Sequence, residues 1–134
     1  MNSKVKGLAA LLLAVIGTSV FAQSRVDFGQ REYLSSCASC HGVSGKGDGV
    51  LVRHLVKAPS DLTLLSRGNG GVFPTQRVWE MIDGSTSTDI GPHGSREMPV
   101  WGNVFRSEDP QAPEGYARSR MAFVLDYLAR IQEK

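Results

Sequence analysis

The sequence predicts an all-α fold of a few short helices and long loops. Three observations carry that prediction. The clearest apolar pattern recurs every three or four residues, no stretch alternates apolar and polar residues for the length of a strand, and glycine-rich segments separate the helical ones. Loops this extensive in so small a domain argue against a compact fold unless something central packs them.

The first residues stand apart from the domain. Lys4 and Lys6 precede an apolar run from Leu8 to Ile16, and Val20-Phe21-Ala22 ends it with small residues at the two positions a signal peptidase reads. This is the layout of a secretory signal, with cleavage expected near Ala22. The run is too short for a membrane span, which needs roughly 20 apolar residues. The expected division is therefore a cleaved signal over 1–22 and one domain over 23–134, with no stable membrane insertion after cleavage. The full chain has 15 Lys and Arg against 13 Asp and Glu. Both lysines of the signal leave with it, so the mature part is formally neutral. Clustered basic charge, the footprint of nucleic-acid binding, is missing.

Along the domain, Asp27 to Ser39 reads as a helix with Phe28, Tyr33 and Leu34 as its apolar or aromatic residues. Gly42 to Gly49 carries four glycines and is loop. Ala58-Pro59-Ser60-Asp61 is a turn, and Ser60 or Asp61 is placed to cap a short helical turn through Leu62, Leu64 and Leu65. Arg67 to Gly71 is loop again. Pro74 sits where a helix can begin, Val78, Trp79 and Ile82 form its apolar stripe, and Asp83-Gly84 stops it. From Gly84 to Pro99 no periodicity is visible, and Asp109 to Gly115 is a further loop. The strongest helix is the last, Ala117 to Gln132, in which Met121, Val124, Leu125, Leu128 and Ile131 share one face while Arg118, Arg120 and Arg130 lie largely off it.

Cys37-Ala38-Ser39-Cys40-His41 is the motif with chemical content. Two cysteines this close would close a disulfide loop too small to constrain much chain entropy. A zinc site needs four ligands and there is no second cysteine pair. A thioredoxin-type pair needs a strand-turn-helix context that is missing here. The remaining reading is covalent haem attachment. Two thiols at a helix end reach the two vinyl groups on one porphyrin edge, and the next residue, His41, points its imidazole at the iron. One such haem c is expected, and it supplies the central packing partner that the loops require.

From these residues outward the chain resembles the class I cytochromes c, over nearly all of Asp27 to Ile131. Gly29 and Tyr33 stand eight and four residues before Cys37, where that family has a glycine and an aromatic on its first helix. Tyr127, followed by Leu128, stands where the last helix has its aromatic. The resemblance implies the cytochrome c fold, with these two helices crossing closely at the glycine. Met98-Pro99-Val100-Trp101-Gly102 is similar to the axial-methionine loop of many bacterial members, which makes Met98 the sixth ligand; His93 on the same loop, and more remotely His54, are the competitors. Met81 and Met121 are expected in the core, and Trp101 and Phe105 are expected to wall the methionine side. The resemblance also implies that the carbonyl of Pro59 receives the second imidazole N–H of His41. Trp79 looks like a tryptophan that binds a haem propionate in some relatives, or it is a core residue.

With His41 and Met98 filling both axial positions, iron has no place for substrate. The expectation is a non-enzymatic, periplasmic one-electron carrier with redox proteins as partners, and a monomer is the default expectation. The alternative is a small-ligand sensor or enzyme with a labile sixth position, for which His93 and Arg96 are the nearby residues. Neutral mature charge gives no steering signature for a particular donor or acceptor. The loop after Met98, Asn103 to Gly115, is a place for a partner-specific insert.

Overall fold

The structure, a computed structural model, describes residues 26–85 and 98–134. The signal segment, His93 and Arg96 lie outside the described residues. Five α-helices follow in order: α1 Phe28–Ser36, α2 Ala38–His41, α3 Thr75–Asp83, α4 Trp101–Glu108 and α5 Pro113–Arg130. One-turn 3₁₀ helices at Val52–His54, Leu62–Leu64 and Arg67–Asn69 punctuate the long connection between α2 and α3. The described residues contain no strand, as the sequence pattern requires.

Helix α1 starts at Asp27, whose extended backbone and carboxylate make an N-cap: Oδ1 accepts the Gln30 N–H at 2.9 Å. It ends three residues earlier than the sequence predicts. Cys37 closes it by donating its N–H to the Tyr33 carbonyl at 2.8 Å, and the short α2 continues from there to Gly42. Helix α3 matches its predicted limits, and Gly84 terminates it with φ +91°, donating to the Glu80 carbonyl at 2.9 Å.

Helix α5 is the central element. It packs most extensively on α1, then on α4 and α3, and it buries Ala117, Met121, Val124, Leu125, Tyr127 and Leu128. It begins four residues earlier than predicted. Pro113 at the first position has its φ already set, and Glu114 in the first turn suits the positive end of the helix. The Asp109 carboxylate meanwhile accepts the Gln111 and Ala112 N–H groups and closes the preceding turn. These gains offset the helix cost of Gly115.

Two expectations are corrected here. Residues 103–108, read as part of a loop, belong to α4. That helix is short, contains Gly102 and has no side-chain cap, so its local signal is weak; burial of Phe105 and Gly102 holds it instead. Met81 is 38% exposed rather than core, because short α3 fully buries only Ile82. Met121 is buried as expected, at 1% exposure.

The α1–α5 crossing matches the predicted close approach. A Cβ on Gly29 would meet the Phe123 carbonyl oxygen and would lie 2.8 Å from the Tyr127 Cβ. Tyr33 and Tyr127 stack beside it with ring centroids 5.1 Å apart. Arg120 departs from its expected place off the apolar face. Its guanidinium lies 4.2 Å from the Phe105 ring centroid and pairs with Glu32 on α1 and Glu108 on α4. Replacing Arg120 with Met keeps the packing over Phe105 but strands the Glu32 carboxylate, so a loss of about 2 kcal/mol is expected, below a fully buried pair because of partial exposure. Adding Glu32→Gln should recover part of it in a thermal melt, since no unpaired charge then remains.

Candidate functional site

Tyr33 sets the position of the Cys37–His41 turn. Its side chain is fully buried under the turn, and its hydroxyl donates to the Gly42 carbonyl at 2.6 Å. Burial pushes the phenol pKa well above its ordinary value, so the hydroxyl remains a donor. The following loop pairs with the turn in register: Gly47 N–H donates to the His41 carbonyl at 2.8 Å, Gly49 N–H to Cys40 at 3.1 Å and Leu51 N–H to Ser39 at 2.9 Å. The approach is close enough that a Cβ on Gly49 would meet the Ser39 carbonyl oxygen and backbone atoms of Cys40. The glycine-rich composition therefore has a specific purpose: it lets one backbone lie directly against another.

Cys37 and Cys40 are both free thiols and both half-buried. Burial pushes the Cys37 pKa up to about 12, with the Glu32 carboxylate and Cys40 adding to it. It is a protonated thiol at neutral pH, unlike the low-pKa nucleophile of a dithiol oxidoreductase.

His41 Nδ1 lies 3.1 Å from the Ser60 carbonyl oxygen. A carbonyl only accepts, so Nδ1 carries the proton and the Nε2 lone pair is left for a ligand or metal. Burial lowers the imidazole pKa, against an opposing pull from Ser60, and keeps the ring neutral. The acceptor differs from the expected Pro59 carbonyl by one residue. The Pro59 carbonyl instead lies against Gly47, where an added Cβ would meet it. Asp61 fixes the conformation that presents Ser60, accepting the Thr63 N–H at 2.8 Å and hydroxyl at 2.6 Å. Gln132, beyond α5, ties the same segment by donating to the Leu62 carbonyl and accepting the Ser66 N–H. The Asp61 cap was visible in the sequence; the choice of carbonyl and the role of Gln132 were not.

Met98 is half-buried and packs on the same core as Cys37, Leu62, Trp79 and Trp101. The rings of Trp101 and Phe105 lie tilted to one another with centroids 5.7 Å apart. Trp79 is half-buried and lines an apolar groove of about 350 Å³ with Phe73, Leu125 and Ala122. No residue of the Cys37–His41 turn lines that groove. Trp79 thus shows the expected core packing and lines a groove that His41 does not line.

Among the described residues, no three His, Cys, Asp or Glu side chains converge as donors for a metal ion. The same residues contain no helix long and apolar enough to cross a membrane. Compared with protein-family models, with curated proteins and with solved structures, the chain finds no match.

Proposed function

We propose that this chain is an exported, periplasmic monohaem c-type cytochrome of class I fold that carries single electrons between redox proteins. One observation carries the reading: the Cys37–His41 turn presents two unpaired thiols three residues apart, followed by an imidazole whose Nδ1 is committed to the Ser60 carbonyl. The donor set fits a c-type haem. Cys37 and Cys40 would hold it through thioethers, His41 Nε2 and Met98 Sδ would ligate the iron, and half-buried apolar residues on the same core as Cys37 and Met98 would pack against it. Such a haem, when bound, supplies reversible one-electron transfer at iron.

The residues of the chain then have separable tasks. His41 is held neutral and correctly turned by burial and Ser60. Met98, a soft thioether, favours the reduced state and raises the potential. Pro99 restricts the backbone of Met98 to extended conformations. With His41 and Met98 both holding the iron, solvent and small ligands would be kept from it.

The test is spectroscopic. Protein matured with haem should have the intact mass of the processed chain plus one haem. It should be low-spin in both oxidation states, show the weak near-infrared sulfur-to-iron charge-transfer band when oxidised, and react slowly with carbon monoxide when reduced. Met98→Ala should remove the band, speed carbon monoxide binding and lower the potential, whereas His93→Ala should leave all three in place. A high-spin wild type that binds carbon monoxide rapidly would establish the labile-site alternative instead.

A further inference from the structure

We propose that Asp83 and Arg106 are positioning residues for the Met98 thioether. The inference rests on Met98 being the sixth ligand, and it concerns what holds Met98 in place.

Methionine has three rotatable side-chain bonds, so its usefulness as a ligand depends on how firmly its backbone is held. Met98 precedes helix α4 and lies in no helix itself. Pro99 restricts its own φ and the conformation of Met98. Two trans peptide units span at most about 7.6 Å. Fixing Val100 therefore fixes the backbone of Met98 within a narrow range.

The end of α3 fixes Val100 and the first turn of α4. Val100 packs over Gly84: a Cβ there would meet Val100 Cγ1 and lie 3.2 Å from Cγ2. Gly102 lies directly on Asp83, where an added Cβ would meet Asp83 Oδ1 and fall 2.7 Å from its carbonyl oxygen. The same Cβ would lie 2.7 Å from Arg106 Nη1. Gly102 thus leaves the space through which Arg106, one turn later, reaches back to α3. Arg106 Nη2 donates to Asp83 Oδ1 at 2.5 Å, in a pair only 17% and 28% exposed, while its Nε donates to Glu114 on α5 at 2.8 Å. Helix α4 has no side-chain N-cap bond. Among the described residues, the Asp83–Arg106 pair is therefore the charged tie between α3 and the end of α4 that follows Met98, whereas Arg120 holds the far end of the helix through Glu108.

Asp83→Asn and Arg106→Met test this in the haem-loaded protein, with Asp27→Asn as a control that weakens the Asp27–Arg130 ion pair between α1 and α5, away from α3 and α4. Both positioning variants should weaken the near-infrared charge-transfer band. Their reduced forms should bind carbon monoxide about tenfold faster, the factor carried by one charge-assisted hydrogen bond. Amide exchange at Trp101 to Val104 should quicken in parallel, and Asp83→Glu should restore part of the band. Asp27→Asn should leave band and carbon monoxide rate at wild-type values even where it lowers the melting temperature. Unchanged band and rate in both positioning variants, or an equal loss in Asp27→Asn, would overturn the proposal while leaving Met98 as ligand. A wild type without the band removes Met98 as the ligand, and the positioning role falls with it.

Discussion

Replacing Cys37 and Cys40 together by Ala should abolish covalent haem and leave a largely unfolded chain. Haem staining of a denaturing gel reads the first effect, and far-ultraviolet circular dichroism during a thermal melt reads the second. Both thiols are half-buried, Cys37 at the C-terminal end of α1 and Cys40 in α2, and Cys37 packs on the same core as the half-buried Leu62, Trp79, Met98 and Trp101. A large apolar group packed on these side chains would bury them further. Such a group binds the folded chain alone and stabilises it by mass action; covalent attachment also prevents its loss by dissociation. Either single replacement should keep one thioether and sharply lower the yield of loaded protein. Stain that persists in the double variant would place the attachment elsewhere and overturn the functional reading.

Gly29→Val should shift the denaturant midpoint downward by the equivalent of about 3 kcal/mol, the upper end of overpacking costs. The upper end applies because the obstacle is backbone. The Phe123 carbonyl belongs to the middle of α5 and is fixed by that helix, and the Tyr127 Cβ stands 2.8 Å from the added atom. Relief requires separating α1 from α5, which also disturbs the Tyr33–Tyr127 stack and the Tyr33 hydrogen bond under the Cys-His turn. Gly29→Ala carries the same Cβ clash without the branch and regains up to about 1 kcal/mol of helix propensity, so it should be milder. A midpoint equal to wild type in the valine variant would show that the helices do not depend on contact at this residue.

The features legible in the sequence share a short range. The apolar face of α5 repeats within each turn, and its buried Met121, Val124, Leu125 and Leu128 were all predicted. Asp61 caps its neighbour two residues away. The Cys-x-x-Cys-His spacing places two thiols and an imidazole on one turn regardless of what surrounds it. Gly29 was legible for a different reason: its position relative to Tyr33 and Tyr127 matches a family pattern, and the close approach found in the structure agrees with it.

What only the tertiary structure decided depends on groups that meet across long stretches of chain. Helix α4 has too little propensity to be seen alone and exists because Phe105 and Gly102 are buried against other elements. Arg120 left the solvent side of α5 because Glu32, 88 residues away, supplies its carboxylate. Ser60 rather than Pro59 receives His41 because backbone torsions in one turn choose which carbonyl faces the ring. Asp83 and Arg106 gave no sign in sequence of meeting, since neither residue forms a local motif. The amino-acid sequence by itself determined the all-α class, the helical face of α5 and the grouping of two thiols and an imidazole on the Cys37–His41 turn, because those follow from hydrogen bonds and spacing within a few residues. The Ser60 contact of His41 and the Asp83–Arg106 pair were decided only by folding, because the partners become neighbours only when the chain packs.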